Sequence, residues 1–262
     1  MPREPLLGAV AAAALVLAAA LGIAPFIPQS EAILFVTMFG GATLTSIGAV
    51  FGASYGRVTR GHAIAVACSV ALIGAVGVTR VHHPAASIGV DLALIVIAHT
   101  LGALIGTRVE HPGHLFPALV VAAAADVASV FHPSGPTHQL AESERALSLS
   151  AFAFPVPGTH ELAPALGVGD LIFVALVLGV ASRHGLSRPR IAALALVGAL
   201  VAGVVALLAQ APIPALPAIG AAILLGVPGA RAIPPKDRAV ARAAMAMACV
   251  ISLTVVASAW KR

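Results

Sequence analysis

The stretch from Leu115 to Phe131 reads LFPALVVAAAADVASVF, a run of uncharged residues that one aspartate, Asp126, interrupts. Its length approaches the roughly 20 apolar residues that a helix needs to cross the hydrocarbon core of a bilayer. A carboxylate in that setting costs about 2.5–3.5 kcal/mol on insertion scales. The stretch therefore predicts a transmembrane helix, and Asp126 becomes a candidate for a functional residue.

Similar apolar runs follow one another along the whole chain, and we predict nine membrane-spanning segments. They are approximately Pro5–Phe26, Ala32–Ser54, His62–Thr79, Ala86–Thr107, Leu115–Phe131, Leu166–Ser182, Ile191–Gln210, Ile213–Ala230 and Ala239–Trp260. We expect the first run to remain as an uncleaved span, because it is longer than the apolar part of a typical signal peptide.

The composition of the chain agrees with a membrane protein. Of its 262 residues, 60% are hydrophobic and 10% are charged, and the mean hydropathy is +1.02. Soluble domains usually carry about 25% charged residues. These values exclude a water-soluble enzyme, a disordered tail and a disulfide-rich secreted module. The predicted fold class is an all-α polytopic membrane protein that lies in a lipid bilayer.

The order of the segments divides the chain into three parts. Residues 1–112 hold four spans, residues 113–230 hold the segments that carry the candidate site, and residues 231–262 hold a basic loop and the last span. The longest connection, residues 132–165, is rich in proline, for which we favour a partly ordered loop. Alternation of small and large residues at 151–154 makes a short strand the alternative.

The lysines and arginines are distributed unevenly between the two sides of the predicted spans. Eleven of the fifteen lie at the N-terminus or in alternate connections: Arg3, Arg57, Arg60, Arg108, Arg183, Arg188, Arg190, Arg231, Lys236, Arg238 and Arg242. Basic residues accumulate on the cytoplasmic side. We therefore predict an integral protein of a prokaryotic inner membrane, with a cytoplasmic N-terminus, an extracytoplasmic C-terminus and residues 132–165 outside. The basic loop between the eighth and ninth segments is better explained by membrane topology and attraction to anionic lipid headgroups than by binding of a nucleic acid.

Two carboxylates are expected at matched depth in adjacent helices. Asp126 precedes the end of its segment by about 8 Å, and Asp170 follows Pro164, where the next segment approaches its start, by about 9 Å, at helical rise. Carboxyls that lie close together can share a proton, as in aspartic proteases, where one activates water and the other donates a proton. Gly167 and Gly169 would let an extended substrate backbone approach Asp170. Paired intramembrane acids also serve ion and proton transport, and that alternative stays open.

A proline-rich stretch is predicted at the same membrane face as both aspartates. Pro214-Ala215-Leu216-Pro217 opens the eighth predicted segment, and its prolines remove amide donors and break helix geometry. An unwound stretch in the membrane must line a cavity or be covered by protein. Its exposed backbone groups can pair with an extended peptide.

Together these motifs resemble the presenilin and signal peptide peptidase family of intramembrane aspartyl proteases. The resemblance lies in an order: a helix with Asp126, then Gly167-Val168-Gly169-Asp170, one intervening helix, and Pro214-Ala215-Leu216. It covers roughly residues 115–225 and implies a presenilin-like bundle in which Asp126 and Asp170 are catalytic. It also implies that residues 214–216 help to form the active site.

The implied activity is hydrolysis of peptide bonds within transmembrane peptides or proteins, such as remnant signal peptides. Gly167, Gly169, Pro214, Ala215 and Leu216 would contact the substrate, and no metal or organic cofactor is expected. Prepilin peptidases share the GxGD aspartate and are the second choice among proteases. A proton-coupled transporter remains open, as does an inactive homologue, because Ala125 stands where the family has tyrosine.

Two further polar residues lie in the fourth segment. Asp91 is expected to cap the outer start of this helix near Ser87. His99 is expected to bond a serine or threonine of another helix. For both residues we favour a structural role over a catalytic one.

Overall fold

The computed structural model describes residues 5–79 and 83–260, and these are mostly helical. The helices are α1 (Pro5–Ile23), α2 (Glu31–Leu34), α3 (Gly41–Ala53), α4 (Arg60–Thr79), α5 (Pro84–Gly106), α6 (Leu115–Phe131), α7 (Pro136–Ala141), α8 (Glu144–Ser150), α9 (Val168–His184), α10 (Arg188–Ala209), α11 (Leu216–Gly226) and α12 (Arg238–Trp260). A π-helical turn (Phe35–Gly40) joins α2 to α3. Four basic residues of the charge count, Arg3, Arg80, Lys261 and Arg262, lie outside the described residues.

Seven helical segments among the described residues are long and apolar enough to cross a membrane. They are Pro5–Phe26, Glu31–Ala53, Arg60–Thr79, Pro84–Gly106, Pro112–Phe131, Arg188–Ala209 and Pro235–Ala257. Their bounds lie within a few residues of the predicted runs. The protein is therefore a polytopic helical membrane protein, which confirms the predicted class in this coarser form.

The other two predicted spans are shorter helices, so the described residues do not confirm the count of nine. Helix α9 has 17 residues and α11 has 11. At a rise of about 1.5 Å per residue these helices measure roughly 25 and 16 Å, against a hydrocarbon core of about 30 Å. Pro214 and Pro217 delay the start of α11, and the chain leaves it ahead of Pro228.

The connection at residues 132–165 is more ordered than the favoured interpretation predicted. It contains α7, α8 and an antiparallel pair of strands, β1 (Ala151–Pro155) and β2 (Leu162–Gly167). The strand at 151–154, stated as the alternative, is present. The partly ordered loop is therefore wrong, and the fold is not purely α-helical.

Packing divides the chain into two compact units. The first comprises Met1–Arg108 and Arg145–Arg183, and the second comprises Val109–Glu144 and His184–Arg262. In the first unit α5 and α9 approach each other closely through glycine. A methyl group at Gly102 would overlap the carbonyl oxygen of Ile172 and lie 2.7 Å from the amide nitrogen of Leu176. Small residues of this kind let membrane helices pack backbone to backbone.

The second unit contains two close helix pairs. A methyl group at Gly198 of α10 would lie 2.5 Å from the Cα of Ile219 in α11. Helix α12 packs along α6, and the hydroxyl of Ser252 donates to the carbonyl oxygen of Ala124 at 2.9 Å. The turn that carries Asp126 is therefore held by a neighbouring helix.

The close approach of α5 and α9 gives a first prediction. Gly102→Ala should lower the free energy of unfolding by about 1–3 kcal/mol, the usual cost of overpacking, because the methyl group meets backbone atoms that cannot rotate away. Thermal unfolding of the protein in detergent measures the loss. Gly74→Ala in α4 is the matched control, since no atom lies within 4 Å of the methyl position there. Equal melting temperatures for the two variants would contradict the proposed contact.

Candidate functional site

Asp126 contacts the proline-rich stretch in the second unit. One of its carboxylate oxygens, Oδ2, accepts a hydrogen bond from the backbone N–H of Leu216 at 3.0 Å. The backbone of Ala215 also interacts with this carboxylate. Two of the elements that the sequence predicted to form a site are therefore in direct contact, although 90 residues separate them in the chain.

The Leu216 amide needs a partner because of where α11 begins. Leu216 is the first residue of that helix, and the first N–H groups of a helix have no acceptor within it. The next residue, Pro217, has no N–H at all. The Asp126 carboxylate thus fills the role of an N-terminal cap, and its negative charge lies at the positive end of the helix dipole.

The chain between α10 and α11 is unwound, as the two prolines predicted. Residues 211–215 are not helical, and α10 ends at Ala209; the next residue, Gln210, has a left-handed φ of 50°. The side-chain amide of Gln210 donates to the carbonyl oxygen of Leu207 at 2.9 Å, which satisfies one of the last carbonyl groups of α10. The unwound segment leads directly to Leu216, whose backbone N–H donates a hydrogen bond to Asp126.

Asp170 lies at the start of a helix in the first unit. Strand β2 ends at Gly167 and α9 begins at Val168, which places Asp170 in the first turn of α9. Its side chain is half-buried. A carboxylate in the first turn of a helix is stabilised by the helix dipole. Each of the two candidate acids is therefore associated with a helix N-terminus.

The two glycines beside Asp170 have different surroundings. A methyl group at Gly167 would lie 3.3 Å from Oδ2 of Asp170, tighter than most such contacts. A methyl group at Gly169 would meet no atom of the described residues within 4 Å. Gly167 therefore leaves room for the carboxylate itself, whereas Gly169, which is exposed, leaves the backbone ahead of Asp170 uncovered.

Strand β1 is the inner strand of the hairpin and β2 the outer one. All five residues of β1 are buried, whereas β2 is mostly half-buried. The backbone N–H of Ala153 in β1 donates to Oδ1 of Asp91 in α5 at 2.7 Å. This bond lies where the register shifts, between Phe152 and Ala153. Asp91 thus fixes the hairpin whose second strand leads into the helical turn that carries Asp170.

The expectation that Asp91 caps the start of α5 is wrong. The helix begins at Pro84, and the ring nitrogen Nδ1 of His83 accepts from the N–H of Ala85 at 3.2 Å instead. Asp91 lies more than a turn further along and is 1% exposed. The signal that could have revealed its role was the alternation at 151–154, because a strand buried within a protein needs a partner for every amide.

The expectation for His99 is also wrong. Among the described residues neither of its ring nitrogens has a hydrogen-bond partner, although the side chain is 1% exposed. Its ring centroid lies 6.1 Å from that of His62, which is itself buried. The neighbouring Thr100 hydroxyl has no partner in the described part of the chain either. These groups and Oδ2 of Asp91 form a set of buried polar atoms on one helix.

The structure brings the predicted site residues together in two groups. Asp126 lies with Pro214, Ala215 and Leu216 in the second unit. Asp170 lies with Gly167 and Gly169 in the first, next to the hairpin that Asp91 fixes. The pairing of the two carboxylates stays a prediction.

Comparisons of the chain with protein-family models, with curated proteins and with solved structures found no match. The resemblance to presenilins therefore rests on the quoted motifs. The function has to be argued from the residues and their contacts.

The bond from Ala153 to Asp91 gives a second prediction. Asp91→Leu removes the acceptor and leaves a buried N–H unpaired, at a cost of about 1–3 kcal/mol. Hydrogen exchange of the peptide that covers residues 151–155 should accelerate, whereas Asp91→Asn, which keeps an oxygen acceptor, should change it much less. If the leucine variant exchanges as slowly as the asparagine variant, Asp91 does not anchor the strand.

Proposed function

We propose that this protein is an intramembrane aspartyl protease that hydrolyses peptide bonds within transmembrane segments, with Asp126 and Asp170 as its catalytic residues. The observation that carries the proposal is the hydrogen bond from the Leu216 amide to the Asp126 carboxylate at 3.0 Å. It joins one acid to an unwound backbone segment, in a chain that carries few acids. A protease that acts in the membrane needs both an acid and a place for an extended substrate.

The proposed chemistry uses water and two carboxyl groups. One carboxylate removes a proton from a water molecule, whose oxygen attacks the carbonyl carbon of the scissile bond. The other carboxyl group, which is protonated, donates its proton to the carbonyl oxygen. The C–N bond then breaks: the first carboxyl group gives the proton it took from water to the leaving amine, and a hydroxyl of the intermediate returns its proton to the second carboxylate. The products are a carboxylic acid and an amine, one water is consumed for each bond cut, and the catalytic pair regains its starting protonation. Two carboxyls that share a proton supply both forms at once.

Substrate binding is proposed at two backbone edges. The outer strand β2 runs directly into the turn that carries Asp170, and its edge away from β1 suits the addition of an extended peptide. The unwound residues 211–215 and Leu216 offer further backbone groups beside Asp126. The exposed backbone at Gly169 leaves space for the substrate next to the second acid. An extended peptide bond is also the form that a protease can cut.

The resemblance to presenilins and signal peptide peptidases supports this proposal through the order of its motifs. The acid-bearing helix, the GxGD turn, one helix and the PAL stretch occur here as α6, the start of α9, α10 and the start of α11. In the proposed orientation, the preferred substrates are single-span segments with a cytoplasmic N-terminus, a class that includes remnant signal peptides.

A cleavage assay tests the proposal. The purified protein is incubated in detergent with a panel of transmembrane peptides, and products are identified by mass spectrometry. Asp126→Asn and Asp170→Asn should each reduce cleavage by about 100-fold or more, the scale of acid–base catalysis by one group. Asparagine keeps an oxygen that can accept the Leu216 amide, so the first variant should stay folded.

Asp237→Asn is the matched control for these variants. Asp237 is hydrogen-bonded to His114 at 3.0 Å in a connection ahead of α12, away from both candidate acids in the sequence. Its variant should cleave within about twofold of wild type, since acid–base catalysis needs only the two proposed acids. Cleavage that survives in either catalytic variant would refute the two-aspartate mechanism.

Proton-coupled transport by Asp126 and Asp170 is the second candidate, and the buried Asp91 and His99 favour it by adding two further ionisable groups. An ionisable residue inside a membrane is by default a hypothesis for a functional site. If the wild-type protein cuts no peptide but dissipates a pH gradient across proteoliposomes, and Asp91→Asn abolishes that flux, transport replaces proteolysis.

If the protein does neither and still binds transmembrane peptides, it is an inactive homologue, and the alanine at position 125 becomes the first position to change.

The proposed orientation of the protein in the membrane can be tested separately by cysteine labelling. In a background with Cys68→Ala and Cys249→Ala, His160→Cys in the exposed hairpin turn should react with a membrane-impermeant maleimide in intact cells. Ser187→Cys, exposed between α9 and α10, should react only after permeabilisation. The reverse pattern would place residues 132–165 in the cytoplasm and would overturn the substrate orientation.

A further inference from the structure

The second unit contains a basic pocket at the start of α12. Its volume is about 460 Å³. The residues that line it include three arginines, one histidine and two apolar side chains: Arg231, Arg238, Arg242, His111, Phe116 and Met245. The pocket is remote in sequence from Asp126 and Asp170, and the proposed proteolysis does not use it.

The walls of this pocket are held in place by backbone contacts. A methyl group at Gly113 would overlap the carbonyl group of Ala232, so the segment ahead of α6 and the loop ahead of α12 touch at their backbones. The ring of His114 bonds the carboxylate of Asp237 at 3.0 Å across the same junction. The pocket is therefore a built feature and not a gap between loose loops.

Among the described residues, the arginines of the pocket form no ion pair with an acid. Within residues 5–79 and 83–260, no carboxylate forms an ion pair with Arg231, Arg238 or Arg242. The nearest acid along the chain, Asp237, is engaged by His114. The Nε–H of Arg238 donates to the carbonyl oxygen of Ile233 at 3.4 Å, which orients its guanidinium group. Three guanidinium groups around one cavity favour a phosphate, because arginine binds phosphate oxygens in pairs.

The apolar side of the pocket distinguishes a lipid from a soluble phosphate. Phe116 lies near the start of the span Pro112–Phe131, and Met245 lies ten residues, about 15 Å at helical rise, into the span Pro235–Ala257. The pocket thus joins arginines near the start of α12 to an apolar side chain further along the same span. A phospholipid has this same arrangement, with a charged phosphate above an apolar chain.

We propose that this pocket binds the phosphate group of an anionic phospholipid, with Arg231, Arg238 and Arg242 around the phosphodiester and with Phe116 and Met245 against the start of an acyl chain. The site does not depend on the proposed protease activity. It assigns to the basic loop a specific ligand in addition to its role in topology.

Lipid binding to the purified protein, measured by native mass spectrometry, tests this site. Wild type is titrated with phosphatidylglycerol and, separately, with phosphatidylcholine, and should bind the former at least tenfold more tightly. Arg238→Gln and Arg242→Gln should each weaken phosphatidylglycerol binding about tenfold or more, since each removes a charge-assisted hydrogen bond to the phosphate, which contributes about 1.5 kcal/mol or more. Phosphatidylcholine binding and the melting temperature should not change.

Lys236→Gln is the matched control, because it removes one positive charge from the same loop but not from the pocket. It should keep wild-type affinity for phosphatidylglycerol. If Lys236→Gln weakens binding as much as the arginine variants do, attraction is general to the loop and the site is refuted. If glycerol 3-phosphate binds within about twofold as tightly as phosphatidylglycerol, the ligand is a soluble phosphate and the lipid assignment is wrong.

Discussion

In a protein interior and in the hydrocarbon part of a membrane, water cannot satisfy a backbone N–H or C=O group, so each needs a partner from the protein. This constraint explains the two most informative contacts in the structure. At Leu216 and at Ala153 the chain offers an amide that its own secondary structure does not pair, and in both cases an aspartate of a long helix accepts it. The two acids therefore stabilise irregular backbone, and one of them is also a candidate catalyst.

Close helix contacts at glycine residues also determine where these irregular backbone segments lie. Gly102 lets α5 approach α9 in the first unit, and Gly198 lets α10 approach α11 in the second. In each unit the helix brought close by glycine starts at a candidate site: α9 at the turn with Asp170 and α11 at the amide of Leu216. Packing between backbones thus fixes where these helix starts lie, and the functional groups depend on that position.

The sequence predicted the parts of this structure that depend on local composition. Long apolar runs located the spans, and the prolines at 214 and 217 predicted the break before α11. The predictions from sequence were wrong where the role of a residue depends on a partner far along the chain. The role of Asp91 is set by an amide 62 residues away, and no local pattern in α5 contains that information. The length of α11 was misjudged for a related reason, since apolar residues continue beyond the point at which Pro228 ends regular helix.

The hydrogen bond between Asp126 and Leu216 has one more consequence. An amide hydrogen has a single strong acceptor at a time, so a substrate carbonyl that pairs with the Leu216 amide must take it from Asp126. The carboxylate would then be released at the moment when the peptide arrives. Under the proposed function, the same bond ties one oxygen of the acid, Oδ2, to the protein's own backbone until a substrate arrives, so binding of an extended peptide would also release that oxygen.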